Sequence, residues 1–92
     1  MRLTFTDEAI LRMRDRRIAR HEVEAVILNG ETLREYPDDR PYPSRLVLGW
    51  VDERPLHVVY SVNAEGQEHI VITTYQPDPS RWDAEFKQRL NR

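Results

Sequence analysis

Three runs rich in β-branched and aromatic residues, separated by short turns, constrain the fold of this chain most strongly. The runs are Ser44 to Val51, Pro55 to Val62 and Glu68 to Tyr75. Asn63 to Gln67, between the last two runs, contains a glycine suited to a hairpin loop. Strands joined by connections this short pair antiparallel. The second half of the chain therefore predicts an antiparallel sheet.

The segments before these strands show helical spacing of apolar residues. One helix is predicted from Thr6 to Arg17 and a second from about Glu22 to Asn29, with Gly30 as a natural stop. A weak alternation from Glu31 to Tyr36 predicts an edge strand. Pro37 to Pro43 contains three prolines and is predicted to be a loop.

A closing helix is predicted after the last strand. Asp78 is a suitable N-cap, and Pro79 suits the first position of a helix. Trp82, Phe86 and Leu90 then recur every four residues, which is the spacing of a helical stripe that docks on a sheet.

These elements predict a single α+β domain over residues 1–92, with two N-terminal helices, an antiparallel sheet of three to four strands and one C-terminal helix. The chain has no cysteine and no apolar stretch of the length that signal peptides or membrane spans need. We therefore expect a cytoplasmic protein. Its net charge of −2 argues against a histone-like, non-specific binder of nucleic acid.

The last hairpin determines which polar side chains share a face of the sheet. If Val62 pairs with Glu68, His57 lies directly across from Thr73, with Tyr75 on the diagonal. A slip of one residue would destroy this grouping, and the apolar composition of the opposite face favours the register. That apolar face would carry Leu56, Val58, Tyr60, Val62, Ile70, Ile72 and Thr74.

An imidazole, a hydroxyl and a phenol on one face offer acid–base chemistry on a phosphodiester. Glu8, Arg12 and Arg16 form a stripe along the first helix, and guanidinium groups hold phosphate oxygens through a planar fork. If the stripe reaches the rim of this face, the chain has the parts of a metal-independent ribonuclease, with the RNA 2′-hydroxyl as nucleophile. The predicted catalytic residues are Arg12, Arg16, His57, Thr73 and Tyr75.

The same residues also have a structural interpretation. A lone histidine on a strand is more often packed or exposed than catalytic, and an arginine stripe that begins with Glu8 is usually a solvated helix face. The chain contains no metal-binding or phosphate-binding motif, so no cofactor and no metal are predicted.

Five short motifs, in order, resemble a family of small bacterial domains, the domain of unknown function 4258 family. They are RMRDRRI from Arg12, EVEAVILNG ending at Gly30, an EYPDD stretch ending at Asp39, PLHVV from Pro55 and ITTYQPDPSRW from Ile72. The family is placed with toxin-like domains related to the RelE and barnase-like ribonuclease folds, and its members are often encoded beside small antitoxins. The resemblance implies an mRNA-cleaving toxin that a cognate antitoxin protein neutralises. The matched motifs carry over Arg12, Arg16, His57, Thr73 or Thr74, and Tyr75 as polar candidates.

Glu8 departs from the family pattern, which often has a histidine before the alanine that is Ala9 here. A carboxylate can replace an imidazole as a base, but it also repels phosphate and neutralises Arg12. Two functions therefore stay open: an endoribonuclease toxin with an RNA substrate, and a catalytically inactive protein-interaction module of the same fold. Neither involves a membrane, and the sequence leaves the oligomeric state open.

Overall fold

A computed structural model describes residues 1–91 and shows a five-stranded mixed sheet with two helices packed on it. The strands lie in the order β1-β5-β4-β3-β2. Neither helix in the described part of the chain has the length and apolar character needed to cross a membrane. In chain order the elements are β1 (Arg2–Phe5), α1 (Asp7–Arg16), α2 (Arg20–Asn29), β2 (Glu31–Tyr36), β3 (Ser44–Val51), β4 (Arg54–Asn63) and β5 (Glu68–Tyr75).

Strand β1 overturns the predicted number and direction of the strands. Arg2–Phe5 pairs in parallel with Glu68–Val71, so the sheet is mixed and has five strands instead of three to four antiparallel ones. Leu3 is buried in the core. The Thr6 hydroxyl donates to the carbonyl of Ile72 at 2.6 Å and holds the end of β1 against β5. Four residues are too few for an alternating pattern to show in the sequence.

The predicted C-terminal helix was also wrong. Residues 77–91, called the C-terminal segment below, form turns and one isolated bridge, between Trp82 and Arg89. Phe86 has a φ of 60°, a left-handed conformation that interrupts any helix. The Asp83 carboxylate accepts the Lys87 N–H at 2.9 Å, and such local bonds compete with helix formation. The spacing of Trp82 and Phe86 instead serves two separate contacts with side chains of the sheet.

Local hydrogen bonds fix the start of each helix. The Thr6 hydroxyl accepts the Ala9 N–H at 3.1 Å, and Arg17 ends α1 with a φ of 54°. At α2 the Glu22 carboxylate accepts the Ala19 N–H at 2.8 Å. The N-cap residue, Ala19, has no side chain that can cap the helix, so this bond takes the place of the usual cap. It explains why α2 begins two residues before the predicted boundary.

One core lies between the helices and the sheet. Ala9 of α1 and Val23 of α2 are fully buried against Leu56 and Val58 of β4 and Val71 of β5. Burial of each Val or Leu side chain contributes about 1.5–3 kcal/mol. The core cluster comprises Leu3, Ala9, Ile18, Val23, Val26, Val47, Leu56, Val58, Tyr60 and Val71.

The register of the β4–β5 hairpin differs from the prediction by one residue next to the loop and by two residues beyond a bulge. Asn63, not Val62, pairs with Glu68, and a bulge lies between Val59 and Tyr60. The one-residue shift reverses the predicted alternation for the first residues of β5, and the extra residue at the bulge restores it for the last ones. Val71 therefore belongs to the core, and neither Ile70 nor Ile72 is part of it.

Close packing of α2 on β3 generates a prediction about Gly30. A Cβ atom added there would lie 2.5 Å from the Val26 carbonyl oxygen and 2.6 Å from that of Leu48, and neither backbone can easily move. We expect Gly30→Ala to lower the free energy of unfolding by about 1–3 kcal/mol, measured by urea denaturation. Gly66→Ala is the matched control, since its Cβ would meet only the Asn63 side chain at 3.1 Å. Equal stability of both variants would contradict the packing.

Candidate functional site

A groove lies where β5 leaves its parallel neighbour. Strand β1 pairs with β5 only as far as Val71, so the end of β5 at Thr73 and Tyr75 lies beside α1 and the C-terminal segment. The cavity here has a volume of about 440 Å³. We call it the arginine groove. Its lining comprises Glu8, Arg12 and Arg16 of α1, Thr73 and Tyr75 of β5, and Gln76, Asp78, Arg81, Trp82 and Arg89.

Positive charge dominates the arginine groove although the whole chain is acidic. Four arginines and two carboxylates line it. Across residues 1–91, none of these four guanidinium groups forms an ion pair within 4.0 Å. The Asp78 carboxylate accepts the Ser80 N–H at 2.8 Å, and this bond lowers its pKa. The groove therefore offers several arginine donors to an anion from solvent.

His57 lies behind the arginine groove and has no exposed surface. Its Nε2 lies 2.8 Å from the carbonyl oxygen of Phe86, and its Nδ1 lies 3.3 Å from the Tyr75 hydroxyl. Trp82 stands edge-on to the imidazole, with 4.4 Å between ring centroids. Burial lowers the pKa of His57, and the bond to the Phe86 carbonyl opposes this only in part.

These contacts define the state of the imidazole. A neutral His57 donates its Nε2–H to the Phe86 carbonyl, and the free Nδ1 accepts the Tyr75 hydroxyl. The carbonyl oxygen can only accept, so this tautomer is the one that satisfies both contacts. His57 therefore anchors the C-terminal segment on one side and orients Tyr75 on the other.

Tyr75 connects the buried histidine to the groove. Its ring is half-buried and lines the cavity, while its hydroxyl contacts His57. Burial raises the pKa of Tyr75 above its ordinary value of 10.0, and the positive charge of Arg89 opposes part of that rise. The phenol therefore keeps its proton at neutral pH and can donate it to a bound oxygen atom.

The structure brings together four of the five predicted site residues. Arg12, Arg16, Thr73 and Tyr75 line the arginine groove. His57 pairs with Tyr75 in the sheet, and the prediction that it lies directly across from Thr73 was wrong, because the shift of the hairpin and the bulge together move the pairing by two residues. Since the C-terminal segment covers His57, the imidazole does not reach the groove. The catalytic roles of all five residues stay predictions.

Arg81 and Arg89 complete the groove, and sequence reasoning missed them. A C-terminal helix would have placed both on a solvated face, and no spacing rule links them to Arg12 and Arg16. The one available signal was that Arg81 is adjacent to Trp82. Because Trp82 is buried, it holds the backbone of Arg81 close to the sheet. No cluster of three or more His, Asp or Glu side chains suited to a metal ion occurs within residues 1–91.

Comparison with known proteins identifies a family. Residues 5–76 match the family described as "Domain of unknown function (DUF4258)". The match includes the two helices, the antiparallel strands and all five predicted site residues, and it ends where the C-terminal segment begins. No curated protein matches the chain, and neither does any solved structure.

The buried imidazole makes stability depend on pH. Burial lowers the pKa of His57 in the folded protein from the ordinary value of 6.5. As the pH falls toward and below 6.5, the unfolded state therefore binds more protons than the folded state does. We expect the free energy of unfolding to decrease from pH 7 to pH 5 and to depend less on pH in His57→Gln. Urea denaturation at a series of pH values measures this, with the exposed His21→Gln as control. A wild-type pH profile in His57→Gln would contradict the assignment.

Proposed function

The chain belongs to the DUF4258 family, and from its arginine groove we propose that it is the toxin of a bacterial toxin–antitoxin pair. In this proposal it is a metal-independent endoribonuclease, related to the RelE and barnase-like ribonucleases, that cleaves RNA in the cytoplasm. A cognate antitoxin protein neutralises it. One observation carries the proposal: four arginines that form no ion pair among the described residues line one open groove together with Thr73 and Tyr75.

The groove suits a phosphodiester on electrostatic grounds. Arg12 and Arg16 lie one turn apart on α1 and make no ion pair among the described residues. Guanidinium groups bind phosphate through charge-assisted hydrogen bonds, and they bind the more highly charged pentavalent state more strongly. The two arginines therefore supply both substrate binding and stabilisation of the transition state.

Proton transfer in this proposal uses two groups of the groove. Glu8 accepts the proton of the RNA 2′-hydroxyl, whose oxygen attacks the adjacent phosphorus. The bond from phosphorus to the 5′-oxygen breaks, and Tyr75 gives its proton to that leaving oxygen. The products are a 2′,3′-cyclic phosphate and a 5′-hydroxyl end. The raised pKa of Tyr75 suits an acid better than a base.

His57 acts as a positioning residue in this scheme. It is fully buried and contacts the Tyr75 hydroxyl through Nδ1 at 3.3 Å, a long hydrogen bond that a substrate oxygen can replace by rotation of the phenolic hydrogen. Its bond to the Phe86 carbonyl holds the C-terminal segment beside the groove. Its removal should therefore reduce cleavage without removing the acid itself.

A second candidate function is a catalytically inactive protein-interaction module. The specific observation is exposed apolar surface away from the arginine groove: Leu28 is 65% exposed and Trp50 is 56% exposed. Trp50 lines a second cavity, of about 610 Å³, between α2, β3 and the C-terminal segment. Strand β2 also lies at the edge of the sheet, where a partner strand can add. This candidate predicts a stable protein complex and no cleavage of RNA.

An RNA-cleavage assay distinguishes the two candidates. We expect the wild-type protein to cut single-stranded RNA in the presence of EDTA. Arg12→Ala should slow cleavage by about 10²-fold or more, since it removes a donor to the transition state. Tyr75→Phe should cause a loss of similar size, since it removes the acid but keeps the ring. Gel analysis of an end-labelled RNA gives the rates.

The matched control is Arg14→Ala, which removes the same charge from the same helix outside the groove. It should cleave RNA at the wild-type rate and, like the wild type, slow growth when expressed in bacteria. If the wild-type protein cut no RNA and its expression were harmless, the ribonuclease proposal would be abandoned in favour of the interaction module.

A further inference from the structure

We infer that Arg81 and Arg89 bind phosphates of the substrate, so that the C-terminal segment forms the second wall of a site for single-stranded RNA. This inference rests on the proposed function and extends it to residues outside the family match, which ends at Gln76. The segment is then part of the binding site, and it does more than cover the sheet.

The positions of Arg81 and Arg89 support this inference. Arg81 and Arg89 line the same cavity as Arg12 and Arg16, but they come from a different element. Two arginines thus lie on α1 and two on the C-terminal segment, with Thr73 and Tyr75 of β5 in the same lining. A chain of phosphates that follows this groove meets guanidinium groups from both walls.

The wall formed by the C-terminal segment is held in place before any ligand binds. The Arg89 guanidinium lies 5.7 Å from the centre of the Trp82 ring, a cation–π contact that orients it. Trp82 is itself buried against His57. The Lys87 ammonium lies 3.1 Å from the Glu31 carboxylate and ties the same segment to β2. A preorganised wall loses less conformational entropy on binding than a free tail would.

The positive charge of Arg89 also acts on Tyr75, the proposed acid. The Arg89 charge stabilises the ionised phenol of Tyr75 and lowers its pKa against the effect of burial. Arg89 therefore lies close enough to act on both the phenol and a phosphate beside it. Arg81 is exposed, and among residues 1–91 it forms no ion pair.

The size of the site favours a single strand. Proteins that recognise double-stranded RNA contact two successive minor grooves over about 16 base pairs. The arginine groove is one cavity of about 440 Å³ at the end of one strand. Non-specific single-strand sites follow the backbone with a positively charged groove of this kind.

The experiment measures binding as a function of salt. The probe is a fluorescent, single-stranded 2′-O-methyl RNA, which lacks the attacking hydroxyl and stays intact. Fluorescence anisotropy gives the dissociation constant at a series of salt concentrations from about 50 to about 300 mM. We expect Arg81→Ala and Arg89→Gln each to weaken binding several-fold and to lower the slope of log K against log salt by about 0.7.

Matched controls separate this inference from the proposed function. Arg14→Ala and Arg40→Ala remove one exposed arginine outside the groove, and both should keep the wild-type slope. If Arg12→Ala lowers the slope but Arg81→Ala and Arg89→Gln do not, the second wall is refuted and the proposed function survives. If the wild-type protein does not bind the probe, both fail.

Two further measurements test whether Arg89 acts through its charge and whether the ligand is RNA. Arg89→Lys keeps the positive charge, so it should retain most of the slope, and a loss equal to that of Arg89→Gln would indicate a structural role and overturn the assignment. Polyglutamate should compete poorly with the RNA probe. Competition at equal charge concentration would identify an acidic protein segment as the ligand and would overturn the assignment to RNA.

Discussion

The hydrogen bond between the His57 imidazole and the Phe86 carbonyl is the contact on which the candidate site depends. It joins the middle of the sheet to a segment that has no regular secondary structure of its own. A buried imidazole without a partner is costly, so the segment and the histidine stabilise each other. His57 therefore holds the C-terminal segment in place over β4, where it forms one wall of the groove. The same residue orients Tyr75.

This arrangement changes what a histidine on a strand means for function. An exposed imidazole titrates near neutral pH and serves as acid or base. The one in this protein is neutral and enclosed by Trp82, Tyr75 and Phe86. It contacts the hydroxyl of Tyr75, a half-buried residue that lines the arginine groove. In the proposed function, the phenol is the reactive group and the histidine behind it orients that group.

The sequence predicted some parts of this site well, for reasons that are local. Helical spacing placed Arg12 and Arg16 on one stripe, and strand alternation placed His57, Thr73 and Tyr75 on one face, which the observed pairing retains. The exact partners were not predictable, because the bulge in β5 is set by packing across the sheet. The order of the motifs also identified the family correctly.

The failures share one physical cause. Strand β1 and the C-terminal segment take their conformation from distant contacts, β1 from the exposed edge of β5 and the segment from His57 and Trp50. The sequence of such a short segment says little about its conformation. The four-residue spacing of Trp82 and Phe86 fits a helix as well as it fits two separate contacts with the sheet. Arg81 and Arg89 were not predicted to line the groove, because the conformation of the C-terminal segment was not predicted.

The bulge between Val59 and Tyr60 has a consequence for how this protein can change over time. It separates β5 into a first half that serves the core through Val71 and a second half that serves the groove through Thr73 and Tyr75. One extra residue at such an irregularity reverses the alternation beyond it, so the two halves of β5 can serve different surroundings. The side chains that line the groove can therefore change among descendants of this chain while the hydrophobic interior stays as it is.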